Sequence, residues 1–239
     1  MYGVGWVFIY SHSHSPYHHT PIASVQVVKF VQAMNRKRFL IASTLSALSL
    51  STFGSLIKLA DGRYKGDCDT THDILGPFYR PDAPLRSDLI MSGMKGTHIQ
   101  IQGSVLGSDC VTPLKDAVVE IWHCDINGRY DNSTSAFFHR AHWVTDETGK
   151  YSFKTILPGK YLNEGQLRPA HVHFRVSAPN YRDLISQVYF KGDPHIEKDP
   201  WASLKKAQLR ILDLVPEEEG DGLLVNFDIF LKEKRRKRS

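Results

Sequence analysis

The last strand-like segment of the chain alternates hydrophobic and polar positions. Residues two apart fall on the same face of an extended segment, and the four on one face here are Val225, Phe227, Ile229 and Leu231. This alternation predicts a β-strand with a buried face. Similar runs recur between turns rich in Gly, Pro and Asp, and the predicted strands are 97–106, 117–124, 151–156, 170–178, 184–190 and 223–231.

Short strands separated by turns predict an all-β fold, a β-sandwich with long loops and little helix. The segment from Asp146 to Gly149 is predicted as the turn of a hairpin that leads into Tyr151. The only helix we predict is short, over 202–212. One folded domain over 67–231 is long enough to bury a core of its own.

The formal net charge of +5 is concentrated at the C-terminal end of the 239-residue chain. Residues 232–238 hold six basic residues and one Glu, so the rest of the chain is neutral overall. We therefore predict that 232–239 is a solvated basic tail and that the protein does not bind nucleic acid. The hydrophobic content of 41% is typical of a globular protein and excludes wholesale disorder and a multi-span membrane protein.

Residues 34–66 have the layout of an export signal followed by a linker. Basic residues at 36–38 precede a stretch over 39–57 that carries no charge and is rich in Leu, Ala and Ser. The order over 36–40 also resembles a twin-arginine signal with Lys in one paired position. We predict that 1–33 is a non-native or unstructured leader, that Met34 is the true start, and that the domain is exported to the periplasm or the exterior. The predicted membrane contact is transient and involves only the signal.

The alternative for the same segment is an N-terminal membrane anchor, which its many Ser and Thr residues disfavour. Without a working signal the protein would be cytoplasmic. Three cysteines, Cys68, Cys110 and Cys124, permit at most one intramolecular bridge and lack the paired spacing of a zinc or haem motif. Export would allow a disulfide between Cys68 and Cys110, a pairing that the sequence leaves open.

Two histidines near the start of the predicted strand 170–178 are spaced as metal ligands. His171 and His173 lie about 6.6 Å apart along a strand and project from the same face. The opposite face is uniformly apolar and belongs in the core. Such a pair also occurs on ordinary sheet faces, and the nearest downstream acidic residue that could complete a 2-His-1-carboxylate site for iron(II) is Asp183.

Two tyrosines are predicted in loops, Tyr130 after Asn127-Gly128-Arg129 and Tyr161 after Pro158-Gly159-Lys160. Taken alone, each is a packed or solvent-facing aromatic beside a turn. A bound cation changes this, because a phenol on iron(III) ionises at neutral pH although free Tyr titrates at about pH 10. Hard anionic oxygens then hold the metal in its ferric state.

Six sequence blocks, in this order and spacing, resemble the intradiol ring-cleavage dioxygenases, and look closer to the protocatechuate 3,4-dioxygenase type than to the catechol 1,2-dioxygenase type. Together they extend across roughly residues 70 to 231. The blocks are Gly76-Pro77-Phe78-Tyr79, Val119 to His123 with Gly128 to Tyr130, Thr145 to Tyr151, Thr155 to Tyr161, Arg168 to Phe174, and Gln187 to Pro194.

The resemblance implies an immunoglobulin- or prealbumin-like β-sandwich that binds one non-haem Fe(III) ion. The implied activity is cleavage of a catechol ring by O2, between the two hydroxyl-bearing carbons, to a muconate-type dicarboxylate. The implied ligands are an equatorial pair, Tyr130 and His171, and an axial pair, Tyr161 and His173. In the family, the substrate displaces the axial tyrosinate, which then takes up a proton.

The resemblance also assigns residues around the iron. Arg168 and Gln187 match positions near the ring carbon that oxygen attacks, where a fixed guanidinium stabilises developing negative charge. Together with Tyr161 they are the expected catalytic residues. Ile74 and Pro77 match positions that line the substrate pocket.

Two other interpretations compete with this one. The first is a non-catalytic, transthyretin-like β-sandwich binding module whose His and Tyr residues only line a pocket. The second is a zinc hydrolase, which two tyrosines disfavour because zinc sites use His, Cys and carboxylate ligands.

Two departures from the family pattern leave questions open. Tyr161 is followed by Leu162 and Asn163, where protocatechuate enzymes are expected to have Pro-Trp, so the substituent on the substrate ring is not defined. The export-signal pattern also occupies the place of the helical dimerisation segment of catechol 1,2-dioxygenases, so a homo-oligomer stays open.

Overall fold

The computed structural model of the protein describes residues 68–218 and 220–235, together with the backbone of four short strands nearer the N-terminus. The chain forms two compact units, Met1–Phe53 and Gly54–Ser239. In the first unit, β1 (Val4–Ile9) pairs antiparallel with β2 (Gln26–Val31). The rest of the predicted leader, and nearly all of the predicted export signal, lie outside the described residues, so both stay predictions.

In the described part of the second unit, the regular secondary structure is β-strand apart from two short 3₁₀-helices. Two of its sheets have five strands each, one in the order β13-β12-β11-β6-β7 and the other in the order β14-β15-β5-β16 with β8 paired to β5. The strands are β3 (Ile57–Lys58), β4 (Tyr64–Lys65), β5 (His98–Leu106), β6 (Val118–Trp122), β7 (Arg140–Val144), β8 (Lys150–Ile156), β9 (Leu162–Asn163), β10 (Gln166–Leu167), β11 (His171–Ser177), β12 (Leu184–Phe190), β13 (Ile211–Leu212), β14 (Val215–Pro216), β15 (Leu223–Asn226) and β16 (Ile229–Phe230).

The hydrophobic core lies between these two five-stranded sheets. From the first sheet it takes Val119, Val172, Phe174 and Val188. From the second sheet it takes Ile101 and Phe153 with the predicted buried face of the last segment, Val225, Phe227, Ile229 and Leu231. Both sheets therefore turn one face to a shared core, and the predicted all-β sandwich is confirmed.

Five of the six predicted strands are present as β5, β6, β8, β11 and β12, whereas 223–231 is divided into β15 and β16. Both parts pair in parallel with β5, and the division lies beside Gly103 of that strand. A Cβ on Gly103 would lie 2.0 Å from the carbonyl oxygen of Phe227, so only glycine permits the approach. The carboxylate of Asp228 then accepts the backbone N–H of Ser104 at 2.8 Å in place of a regular strand pairing.

The predicted turn before β8 is present, but it does not close a hairpin. The N–H of Gly149 donates to the carbonyl of Asp146 at 3.0 Å, and Gly149 has a φ of +67°. The preceding strand β7, which we did not predict, pairs with β6, whereas β8 pairs with β5. The turn therefore connects the two sheets, a distinction that local turn chemistry cannot make.

The prediction of a helix over 202–212 is wrong. Lys205–Arg210 is a 3₁₀-helix, a second one spans Ile196–Lys198, and the last two predicted positions form β13. Leu204 is extended, with φ −66° and ψ 143°, so no helix can run through it from Ala202. Residues 211 and 212 pair in parallel with β12 as strand β13, so they are not available to a helix.

Within the described residues, no helix is long and apolar enough to cross a membrane.

Cys68 and Cys110 form a disulfide bond, with 5.7 Å between their Cα atoms. The bridge joins positions 42 residues apart and ties the segment before β5 to the loop after it. Cys124 is a free, buried cysteine.

Candidate active site

The face of β11 that points away from the core carries His171 and His173. Their cross-strand neighbours have aromatic or polar side chains. His171 is paired with Tyr189, and His173 is paired with Gln187 on one side and Trp122 on the other. Residues directly opposite each other on antiparallel strands share a face, so β6, β11 and β12 present these five side chains on one surface.

Two loops bring tyrosines to this surface, and the loops touch through glycines. Tyr130 lies in the loop after β6, and Tyr161 lies in the loop after β8. Gly128 has a φ of +78°, and a Cβ on it would lie 2.4 Å from the carbonyl oxygen of Lys160. A Cβ on Gly159 would lie 2.3 Å from a backbone oxygen of the first loop. The glycine before each tyrosine therefore allows a contact between the loops that a side chain would block.

The rings of the four predicted ligands meet in what we call the four-ring cluster, made of Tyr130, Tyr161, His171 and His173. The hydroxyl oxygen of Tyr130 lies 3.3 Å from Nε2 of His171. Ring centroids are 4.9 Å apart for His171 and His173, 5.6 Å for Tyr161 and His171, 5.7 Å for the two tyrosines, and 6.2 Å for Tyr130 and His173. The structure thus brings together side chains from three separate parts of the sequence.

Both histidines of the cluster are buried and are held as neutral imidazoles. Burial lowers the pKa of His171 to about 4, and burial together with the nearby positive charge of Arg168 lowers the pKa of His173 well below its ordinary value. Nδ1 of His171 bonds to the carbonyl of Pro169 at 2.7 Å. Because a carbonyl only accepts, this nitrogen carries the proton and Nε2 keeps its lone pair.

His173 is held by stacking and not by a hydrogen bond on Nδ1. Trp122 stacks on its ring, with centroids 4.8 Å apart and planes 9° from parallel. Nδ1 of His173 is buried and has no hydrogen-bond partner among the described residues.

Tyr130 is enclosed by aromatic rings. Phe78 stacks on it, with centroids 4.3 Å apart and an interplanar angle of 19°. Burial raises the pKa of the Tyr130 phenol well above its ordinary value, and nearby Cys124 and Tyr161 raise it further. The phenol is therefore protonated unless a cation stands beside it.

The segment before β5 passes over the cluster and contains both predicted substrate-pocket residues. Gly76 has a φ of +72°, and a Cβ on it would lie 3.0 Å from Cε1 of His173. The carbonyl of Ile74 accepts the side-chain amide of Gln187 at 2.9 Å. Ile74 is half-buried, whereas Pro77 is exposed at the surface of the segment. Both residues therefore belong to a segment that lies against the cluster at Gly76.

Arg168 is buried beside the cluster and is held on several sides. Its Nε and Nη2 donate to the two oxygens of Asp199 at 2.7 and 3.2 Å, and Nη2 also donates to Oε1 of Gln187 at 3.2 Å. Trp201 packs against the guanidinium at 4.3 Å, and the ring of Tyr161 lies 5.9 Å away. Nη1 is buried and has no hydrogen-bond partner among the residues that the structure describes.

A second buried ion pair supports the same region. Nη1 of Arg210 lies 2.6 Å from Oδ2 of Asp73, and the hydroxyl of Tyr189 donates to the same oxygen at 3.1 Å.

Four residues of this region were not predicted from the sequence: Asp73, Tyr189, Asp199 and Arg210. Tyr189 could have been found, because it lies two positions after Gln187 on a strand and so shares its face. The carboxylates gave no local signal, since their arginine partners are 31 and 137 residues away.

Comparison with known proteins first defines the class of protein. Residues 74–233 match a family model described as Dioxygenase. The matched range is more than half of the chain and contains the whole four-ring cluster.

Individual relatives narrow the class. A chlorocatechol 1,2-dioxygenase from Rhodococcus opacus is 28% identical over 187 residues, which cover 68% of this chain and 72% of the relative. Catechol 1,2-dioxygenase 2 from Acinetobacter lwoffii is 37% identical over 150 residues, and the match covers 54% of each chain. The solved dioxygenase domain of a dioxygenase carbohydrate-binding protein fusion from Streptomyces sp. SirexAA-E superposes with a TM-score of 0.60 at 29% identity, covering 70% of this chain and 99% of that domain.

The chain belongs to the intradiol ring-cleavage dioxygenase family. It spans about half the length of the Acinetobacter relative. The two named relatives are a chlorocatechol and a catechol 1,2-dioxygenase, so the expected closer likeness to the protocatechuate type stays a prediction.

Proposed function

We propose that the protein is a non-haem iron(III) enzyme that uses O2 to cleave a catechol-type ring between its two hydroxyl-bearing carbons, giving a muconate-type dicarboxylate. The observation that carries this proposal is the four-ring cluster, in which Tyr130 and His171 approach to 3.3 Å. Tyr161 and His173 complete the proposed ligand set. Membership of the intradiol family supports the same reaction.

The residues present fit a ferric ion. Two phenol oxygens become hard anionic donors beside a cation, and neutral imidazoles are common ligands of iron. Nε2 of His171 keeps a lone pair, and Nδ1 of His173 is buried without a hydrogen-bond partner among the described residues. Both observations support neutral imidazoles that can bind a metal. Among the described residues, no group of three or more His, Cys, Asp or Glu side chains is arranged to hold a metal ion. The proposed site therefore depends on its tyrosine oxygens.

When bound, the iron supplies Lewis-acid and template chemistry toward the two oxygens of the catechol. The chain's own residues manage protons and charge around it. The phenolate oxygen of Tyr161, the form that a bound cation favours, is the proposed acceptor of one proton from the substrate. The guanidinium of Arg168, which lies 5.9 Å from the Tyr161 ring, stabilises negative charge that develops on the substrate, and Gln187 fixes its position.

Ile74 and Pro77 are the proposed contacts of the substrate ring. The segment that carries them is fixed to the site by the hydrogen bond from Gln187 to the carbonyl of Ile74. Phe78, in the same segment, stacks on Tyr130. An apolar side chain and a proline beside the cluster suit the flat face of an aromatic ring.

The test uses the purified full-length protein. We expect one iron per chain, a red-brown colour from a tyrosinate-to-iron(III) absorption band, and oxygen uptake with at least one of catechol, protocatechuate and hydroxyquinol. The substrate that is turned over fastest defines the ring substituent. A colourless protein that takes up no iron and consumes no oxygen would instead support the non-catalytic binding module.

We also propose that the domain is exported. The disulfide between Cys68 and Cys110 supports this, because such bonds persist mainly in oxidising compartments. The bridge begins directly after the predicted signal and linker, which end at residue 66. The N-terminal sequence of the native protein tests the proposal. We expect a start between Met34 and Cys68, and an intact N-terminus on a cytoplasmic protein would contradict it.

A further inference from the structure

Asp199 is a fully buried carboxylate outside the proposed ligand set, and both of its oxygens are bonded. Oδ2 accepts Nε of Arg168 at 2.7 Å. Oδ1 accepts Nη2 of Arg168 at 3.2 Å and the backbone N–H groups of Trp201 and Ala202 at 3.0 and 2.8 Å. The backbone thus fixes the carboxylate independently of the arginine. Asp199 is therefore a rigid anchor.

The opposite side of Arg168 is fixed as well. Gln187 accepts Nη2 with its side-chain oxygen and donates its amide to the carbonyl of Ile74, so it cannot rotate freely. The hydroxyl of Tyr189 accepts Nη2 at 3.3 Å. The ring of Trp201 covers the guanidinium at 4.3 Å. These contacts hold the planar group in one orientation.

Only one nitrogen of Arg168 is left without a bond. Nε and Nη2 are occupied, whereas Nη1 is buried without a hydrogen-bond partner among the described residues. Because the guanidinium is a rigid fork, fixing two of its nitrogens also fixes the direction of the third. A buried N–H donor without a hydrogen-bond partner lowers the stability of the folded protein. This cost is removed when a bound substrate supplies an acceptor.

We propose that Asp199 is a positioning residue for ring cleavage, because its carboxylate aims Nη1 of Arg168 at the place beside Tyr161 where negative charge develops on the substrate. This role rests on the proposed function. It differs from simple neutralisation of a buried cation, since it depends on where the carboxylate oxygens lie and not only on their charge. Charge and position can be separated by substitution.

The test compares three variants of the full-length, iron-loaded protein. Asp199→Asn keeps the size of the side chain but removes its charge. Asp199→Glu keeps the charge but moves the oxygens by one methylene. Asp213→Asn is the control, because Asp213 makes an exposed ion pair with Lys191 at 3.0 Å in the same part of the chain.

We expect Asp199→Asn to retain its iron and its tyrosinate absorption band while kcat falls about 100-fold, with KM changed by no more than about three-fold. Asp199→Glu should melt closer to the wild type yet keep kcat at least about 10-fold below it. Asp213→Asn should match the wild type in all five measurements: iron content, absorption band, kcat, KM and melting temperature. Loss of kcat with intact iron ligation is not expected from a merely structural residue.

Several outcomes would overturn this role. Wild-type kcat in Asp199→Asn would show that the carboxylate charge is not needed, and wild-type kcat in Asp199→Glu would show that the position of its oxygens does not matter; either result would overturn the role. Loss of iron from both variants would show that Asp199 maintains the ligand set or the fold. If Asp199→Asn fails to fold, the comparison of Asp199→Glu with the wild type decides alone. A wild-type protein without iron or turnover would contradict the proposed function itself, before any variant is compared.

Discussion

The loop that carries Tyr130 is seated directly on the backbone of Tyr161, since a Cβ on Gly128 would lie 2.9 Å from the Cα of Tyr161. The two phenols therefore cannot be positioned independently. A disturbance at this contact moves one proposed ligand relative to the other.

Gly128→Ala should accordingly reduce iron binding. The added methyl group would meet the carbonyl oxygen of Lys160 at 2.4 Å, so one loop must move, and we expect most of the bound iron to be lost. The matched control is Gly93→Ala, because Gly93 also has a positive φ, of +79°, but nothing lies within 4 Å of its added Cβ. The control should cost about 1 kcal/mol of stability and keep its iron. Equal iron content in the two variants would contradict the coupling of the loops.

Removal of a single proposed ligand should abolish iron retention. Tyr130→Phe deletes an anionic oxygen and His171→Ala deletes an imidazole, and each should give a colourless protein by visible absorption and metal analysis. His98→Ala, at an exposed position at the start of β5, is the control and should keep its iron. A His171→Ala protein with a full complement of iron that still cleaves catechols would show the ligand assignment to be wrong.

The sequence predicted the parts of the site that follow from strand geometry and from the family pattern. His171 and His173 share a face because they are two apart on a strand, and the glycines before Tyr130 and Tyr161 indicated the loops that carry them. Asp199 and Asp73 could not be predicted, because each pairs with an arginine far away in the chain and neither lies in a patterned segment. The prediction of a helix over 202–212 was wrong for a related reason, because it considered only local helix propensity. Pairing of β13 with the distant strand β12 outweighs that propensity.

Arg168→Ala should separate turnover from metal binding. Arg168 is not one of the proposed iron ligands, so we expect the iron and its absorption band to remain while kcat falls about 100-fold. Breaking the buried pair with Asp199 should also cost about 3–5 kcal/mol of stability. Arg129→Ala removes a largely exposed arginine from the Tyr130 loop and should leave turnover unchanged. Unchanged turnover in Arg168→Ala would remove this residue from the mechanism.

The stability of the iron-free protein should fall in acid, and His123 should contribute to this fall. His123 is buried between the carbonyl of Cys124 and the hydroxyl of Thr155, each at 2.8 Å, and burial lowers its pKa from 6.5 to about 3. Below pH 6.5, His123 takes up a proton in the unfolded chain, whereas in the folded protein it stays neutral down to about pH 3. The stability contributed by this group is therefore complete above pH 6.5 and is lost as the pH falls toward 3, by up to about 1.4 kcal/mol per pH unit.

Urea unfolding at neutral pH and at about pH 4.5 measures this effect in the wild type and in His123→Gln. The variant keeps a hydrogen-bonding side chain but cannot titrate, so its stability should depend less steeply on pH. Identical pH dependence in the two proteins would mean that His123 is not the buried neutral group described above.

The disulfide determines how many cysteine thiols can react with a thiol reagent before and after reduction. The chain has three cysteines, and Cys68 is bonded to Cys110, so the denatured, unreduced protein should react with one equivalent of a thiol reagent, at Cys124. Reduction should raise the count to three and lower the free energy of unfolding by about 2–4 kcal/mol. Three reactive thiols before reduction would contradict the bridge in the protein as isolated.

The most direct test of the central claim is anomalous diffraction at the iron absorption edge from crystals of the purified protein. We predict one strong peak per chain, within bonding distance of the side chains of Tyr130, Tyr161, His171 and His173. No peak at that position in a protein shown to contain iron, or a peak bound by other residues, would contradict the account.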